Sequence, residues 1–309
     1  MPRHPRLTVT VFLLLLFASC RPVRVLHSRL SVSDREVVRM FKDRPDKPEI
    51  HYWRSPSGGR IRYLTIGADS LPPVLLLHGS PGSWSVFRSH FFDSSIYNHA
   101  RLIALDRPGY GYSDFGKSYI SVTAEAAYLQ GFLNDVVHPD KPLVIVGSSY
   151  GGPVGVKLAM QNAHRLRALM LVSASVAPGQ EKTYGITPII DVQPIRRFIP
   201  YLLRMPNDEK LAHRESLRAL ANGWDVIRSP VYILHGKADK LVYYPNAEYA
   251  REKLVNAPVT FVPFEKLGHV INWKHGDTVR HYLKLAVKQV PGPAISTVES
   301  RSAGGEEQP

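Results

Sequence analysis

The sequence predicts an α/β fold: a mostly parallel, doubly wound sheet of about eight strands, interrupted by a small, mainly helical cap insertion. Three observations carry this. Six short, continuous apolar runs between Val74 and Val262 read as strands buried on both faces, as in parallel sheets. Helix-length stretches separate most of them. The alternation lapses over residues 177–228, a stretch too long for a plain connecting loop.

In chain order, Arg3, His4 and Arg6 precede an apolar run, Val11 to Phe17, and the small residues Ala18 and Ser19 lead to Cys20. A basic head, a short apolar core and small residues make residues 1–19 a secretory signal. The run falls short of the roughly 20 apolar residues that a membrane span needs. Phe17-Ala18-Ser19-Cys20 resembles the bacterial lipobox, with Phe17 where the family usually has Leu. That resemblance implies a chain that starts at an acylated Cys20, a lipoprotein held to membrane lipid in the bacterial cell envelope. The alternatives are a plain signal that releases the protein to the periplasm, or a short anchor with an incidental cysteine. Residues 20–48 read as a tether, with Arg21, Arg24 and Arg29 placed to meet anionic headgroups. It carries one helix near Ser33–Phe41, where Ser33 and Glu36 have the spacing of a capping box.

Ile50–Arg54 and Arg60–Ile66, around Ser55–Gly59, predict an antiparallel hairpin at the sheet edge. The buried strands follow: Val74–Leu77, Arg101–Leu105, Leu143–Val146, Ala168–Val172, Val231–Leu234 and Val259–Val262. Helices are expected near residues 84–92, 122–137, 152–162, 245–255 and 277–290. The core is therefore 49–176 with 229–290, and the cap is 177–228, with a helix at Asp208–Ala221. Apolar cap residues from Ile186 to Met205, Phe198 and Leu202 among them, either pack the cap onto the core or line an apolar pocket. Arg196, Arg197 and Arg204 are expected to face solvent or lipid headgroups. The polar tail 291–309 is expected to be disordered.

Composition narrows the function. In 309 residues, 44% hydrophobic and 21% charged residues are ordinary for a globular chain and unlike a multi-span membrane protein. One cysteine excludes an internal disulfide framework and Cys-rich metal sites. The net charge of +13 favours anionic surfaces or substrates, but the basic residues are scattered and no recognition helix or RNA-binding aromatic signature accompanies them, so nucleic acid is not expected.

Gly147-Ser148-Ser149-Tyr150-Gly151 follows an apolar strand and precedes a helix. This is the strand–turn–helix setting of a G-x-S-x-G nucleophile elbow, whose flanking positions must be small. The bland alternative is a Gly-rich junction with a bystander serine. A hydroxyl needs a base to become nucleophilic, and the base needs an acid to orient it. Asp239 follows the strand that ends at His235-Gly236, and His269 follows the last strand, so both fall on the same rim of the sheet as Ser149. The order Ser149, Asp239, His269 fits this fold. His78, His213, His235, His275 and His281 are weaker rivals as base, each read as structural. The developing oxyanion is assigned to the Tyr150 N–H and to the Ser80 N–H in the loop His78-Gly79-Ser80-Pro81-Gly82.

These segments, with Asp106-Arg107-Pro108-Gly109, together resemble the α/β-hydrolase fold-1 superfamily over about residues 50–290. Epoxide hydrolases and haloalkane dehalogenases of that superfamily use Asp at the elbow, and Ser149 argues against both. The resemblance implies a serine hydrolase without metal or organic cofactor, acting on small-molecule carboxylic esters. An amidase, lactonase or carbon–carbon bond hydrolase with the same triad stays open, as does a catalytically silent binding protein.

Overall fold

The computed structural model describes residues 31–114, 119–182, 191–193 and 195–288. The expected signal at 1–19, Cys20, most of the expected tether, the tail 291–309 and Ile186, Ile189 and Ile190 of the cap lie outside the described residues.

Eight strands form one sheet in the order β1-β2-β4-β3-β5-β6-β7-β8. These are β1 (Glu49–Arg54), β2 (Arg60–Ile66), β3 (Pro73–Leu77), β4 (Arg101–Leu105), β5 (Leu143–Ser148), β6 (Leu166–Val172), β7 (Val231–Gly236) and β8 (Val259–Phe264). The β1–β2 and β2–β4 pairs are antiparallel, and every later pair is parallel. The chain steps from β3 to β4 on one side, then returns past β3 to β5 on the other. That reversal is the switch point at which open α/β sheets open a crevice beyond their strand ends.

Two apolar layers cover the sheet because successive strand residues point to opposite faces. Leu75, Leu77, Ile103 and Ile145 face one layer, with Leu129, Phe132 and Val154 of the helices Val122–Val136 and Gly151–Gln161. Val74, Leu76, Leu102 and Val144 face the other, with Phe87 and Phe91 of the 3-10 helix Trp84–Phe92 and Leu283 of the helix Gly276–Lys288. Burial of each such side chain contributes about 1.5–3 kcal/mol.

Helix α1 (Asp34–Met40) starts at Ser33, and both bonds of the capping box form: the Glu36 N–H donates to Ser33 Oγ and the Ser33 N–H donates to Glu36. Val37 and Phe41 enter the second layer, and Asp34 accepts from buried Arg62 at 2.8 Å. The N-terminal segment is thus pinned to the body from Ser31 onward.

Between β6 and β7 the chain forms α2 (Ile195–Phe198) and α3 (Tyr201–Ala219). Here two expectations change. The long helix begins at Tyr201 rather than Asp208 and carries Pro206 inside it. Proline there forfeits one backbone bond, at about 3 kcal/mol. Burial of Leu202 and Met205 on the same stripe offsets that loss. Arg196 stays partly open to solvent but is held by partners within the protein. Its guanidinium grips both Asp208 oxygens, at 2.5 and 2.7 Å, and Asp191 at 2.8 Å, so it ties α2 to α3.

Candidate active site

The turn after β5 puts Ser149 at φ +53°, a left-handed conformation that L residues rarely adopt. The neighbours hold it there. The Ser149 N–H donates to the Val172 carbonyl at 3.0 Å, and its own carbonyl accepts from Gly152 and Ser175. Glycine is required on both sides: a Cβ on Gly147 would lie 2.7 Å from Gly152 Cα, and one on Gly151 would strike the Leu77 carbonyl oxygen. A Cβ on Gly79 would lie 2.8 Å from Ser149 Cβ, so the loop after β3 packs directly against the serine.

Asp239 and His269 arrive from the loops after β7 and β8. His269 Nε2 lies 3.1 Å from Ser149 Oγ, and His269 Nδ1 lies 2.7 Å from Asp239 Oδ2. The other Asp239 oxygen accepts the Leu241 and Val242 N–H groups, both at 2.9 Å. Burial alone would raise the Asp239 carboxyl. The His269 hydrogen bond and charge, with those two amides, outweigh burial and hold it below the usual carboxylate range. An ionised Asp239 fixes the proton on Nδ1 and leaves Nε2 as the acceptor facing Ser149.

The structure gives the rival groups other partners. Asn272 donates to Ser148 Oγ at 2.8 Å. His235 Nε2 donates to the Val242 carbonyl at 2.9 Å, and His78 Nε2 accepts the Arg107 N–H at 2.8 Å. Asp106 accepts from the Trp84 and Tyr112 N–H groups and from Arg62, which makes the segment beside the cleft a rigid turn.

Ser149, Ser80, Tyr150 and His269 open onto one cavity of about 520 Å³. Its far wall comes from α3 through Leu203, Pro206, Asn207, Glu209, Lys210 and His213, with Glu181 and Lys182 beside them. Among the described residues, this wall mixes apolar Leu203 and Pro206 with polar and charged side chains, and the cavity surface as a whole is mostly apolar. Leu202 and Met205 are buried in packing, and among the described cap residues that were expected to be apolar, Leu203 meets the cavity.

His213 Nε2 lies 2.9 Å from Ser175 Oγ, and its ring stacks on Tyr150 at 4.8 Å. Burial pushes its pKa down to about 4. The folded protein therefore holds His213 neutral, while the unfolded chain takes up a proton below about pH 6.5. Above that pH neither state is protonated and His213 adds no pH dependence. Between about 6.5 and 4 its share of stability falls by about 1.4 kcal/mol per pH unit of acidification. His213→Gln is expected to make the slope of melting temperature against pH shallower across that window. An unchanged slope in thermal melts from pH 4 to 8 would count against a neutral buried His213.

Sequence reasoning missed a buried ionic group that joins α3 to this site. Arg107 contacts Glu125 at 3.2 Å and Glu209 at 2.8 Å, all three fully buried. The Tyr110 hydroxyl donates to Glu209 at 2.6 Å and lies 2.7 Å from Ser80 Oγ, while the guanidinium sits 4.6 Å over the Tyr150 ring. Burial, with Glu209 repulsion and against Arg107 attraction, pushes Glu125 up to about 8. A signal existed for Glu209. Leu202, Met205, Glu209, His213 and Ser216 recur at helical spacing, so a helix begun at Tyr201 turns Glu209 inward. Among the described residues no group of three His, Cys, Asp or Glu side chains is placed to hold a metal ion, and no helix is long and apolar enough to cross a membrane.

Fold and sheet order together define an α/β-hydrolase-fold protein, with Ser149 on the tight turn after β5. The family model described as the alpha/beta hydrolase fold matches residues 72–188. A 2-hydroxy-6-oxo-2,4-heptadienoate hydrolase of Pseudomonas putida is 28% identical over 256 residues, covering 71% of this chain and 88% of that protein. Haloalkane dehalogenase 2 of Mycobacterium tuberculosis is 32% identical, over 38% of this chain and 40% of its own length. An esterase from Exiguobacterium antarcticum superposes with a TM-score of 0.57 at 21% identity, covering 77% of this chain and 98% of the esterase. A membrane phospholipase A, a bacterial virulence factor, superposes at 0.61 with 21% identity, covering 93% and 99%. At such identities the structural likeness speaks for the fold.

Proposed function

We propose that the chain is a serine hydrolase that cleaves carboxylic esters through an acyl-enzyme on Ser149. The observation that carries this is the hydrogen-bonded series Ser149–His269–Asp239, at 3.1 and 2.7 Å, facing the cavity. His269 takes the Ser149 proton as Oγ attacks the ester carbonyl. Asp239 holds the ring and stabilises the imidazolium. The Ser80 and Tyr150 N–H groups receive the oxyanion, a contribution of about 100- to 1,000-fold in rate per donor. Protonated His269 gives its proton to the leaving alcohol, and water then attacks the acyl-enzyme with His269 again as base.

A second reading, carbon–carbon bond hydrolysis, draws support from the Pseudomonas relative, which matches over most of its own length. A panel of esters, thioesters, lactones, amides and a 2-hydroxy-6-oxo-dienoate separates the two. Ester turnover at least tenfold above every other class is expected, and a preference for the dienoate would replace the ester reading. For the N-terminus we propose processing at Cys20 and acylation there. Intact mass after detergent extraction tests it, and a lipid-free mature N-terminus at another residue would refute it.

A further inference from the structure

Three large apolar side chains stand at the cavity mouth and remain open to solvent: Trp273 is 59% exposed, Leu241 50% and Leu203 44%. They come from three separate segments: the short helix Ile271–Lys274, the loop after β7, and α3. Tyr243 and Val270, close by in the chain, are also exposed. Single exposed apolar residues are ordinary, but a group around one opening marks a contact surface. Trp273 is the telling member. Trp84 and Trp224 are buried, and Trp53 spends its N–H on Asp135. An indole belongs at a boundary between an apolar phase and water.

Charge says which phase. Lys182 and Lys210 line the same mouth, and the Lys182 ammonium donates to the Lys240 carbonyl at 2.9 Å, next to Leu241. Lys240 and Lys274, adjacent in the chain to Leu241 and Trp273, are exposed. The cavity's two acids are matched from within the protein: Glu181 meets Arg214 at 3.3 Å, and Glu209 meets Arg107. A second copy of the chain would bring a net charge of +13 against the same sign. An anionic lipid surface supplies apolar depth and negative charge together.

We propose that this rim docks on an anionic lipid–water interface and places the cavity mouth against it. Resting on the hydrolase reading above, the substrate is then an amphiphilic ester drawn from that surface rather than a freely dissolved one.

The full chain is mixed with phosphatidylcholine vesicles, or with phosphatidylcholine–phosphatidylglycerol vesicles, whose acyl chains carry bromine as a short-range quencher. Quenching with a blue shift is expected on the phosphatidylglycerol vesicles, lost for the most part in Trp273→Phe. The double variant Lys240→Glu, Lys274→Glu is expected to bind those vesicles at least tenfold more weakly while turning over a water-soluble short-chain ester at the parent rate. Undiminished quenching in Trp273→Phe would mean that another segment, such as the apolar N-terminus, holds the vesicle, and would overturn the proposal. So would equal binding to both vesicle types, or a dimer whose formation protects Trp273. Soluble-ester turnover is read separately. Its absence would refute the hydrolase reading and leave docking to be decided by quenching alone.

Discussion

Ser149→Ala is expected to lower ester turnover by roughly 10⁴- to 10⁶-fold, the range seen when the nucleophile of a triad is removed. Covalent labelling by a fluorophosphonate disappears with it. The melting temperature stays close to that of the parent, because alanine fits the same turn and the Oγ makes no bond that the elbow needs. Ser148→Ala is the control. Its hydroxyl is held by Asn272, so labelling persists. Full labelling of Ser149→Ala, mapped by mass spectrometry to another residue, would move the nucleophile. Ser149→Gly adds a second reading of the same turn. A non-glycine residue in the left-handed region costs on the order of 1–3 kcal/mol. Glycine at φ +53° releases part of that, so the variant is inactive yet melts higher, by about 2 °C or more.

Glu209→Ala is expected to cost about 3–5 kcal/mol of stability, the usual penalty for breaking a buried ion pair from one side. Arg107 keeps Glu125 but loses its closer partner, and the Tyr110 hydroxyl loses its acceptor. The melting temperature should fall by on the order of 10 °C. Glu209→Gln retains shape and one acceptor, and it tests the electrostatics. In the parent, Glu125 titrates at about 8, above the ordinary carboxylate value that holds in the unfolded chain. Between those values the folded state binds the extra proton, so this contribution weakens as pH rises and levels off above about 8. Removing the Glu209 charge lets Glu125 ionise earlier and flattens that dependence. The stability gap between parent and Glu209→Gln therefore narrows from pH 5 to 8. A gap that widens with pH would mean that the carboxylates do not share a proton in the folded state.

The sheet was legible because strands buried on both faces leave unbroken apolar runs, as at Val74–Leu77 and Leu143–Val146. The elbow was legible because two glycines must flank the turn. Asp239 and His269 were legible because their loops follow strands of known direction. The ionic group was not, since Arg107 and Glu209 are 102 residues apart and a charged residue on a helix reads by default as solvated. The start of α3 is hidden for a local reason. Pro206 argues for a boundary, and only the packing of Leu202 and Met205 overrides it. Arg196 shows the same blindness: without knowing that Asp208 faces it, a basic residue among prolines looks free. The apolar rim is a property of three segments meeting in space, and none of them announces it alone.

The docking of α1 sets a length. Ser31 is already buried, Val37 and Phe41 are fixed in the core, and Ser31 follows Cys20 by eleven residues. At full stretch that many residues reach about 40 Å. Under the acylation proposed at Cys20, that reach is the greatest height Ser31 could take above the bilayer. Confinement on this scale corresponds to an effective concentration on the order of millimolar between the rim and the lipid surface. A rim–lipid contact with a dissociation constant below that value would be occupied most of the time in the tethered protein, though too weak to recruit a free one.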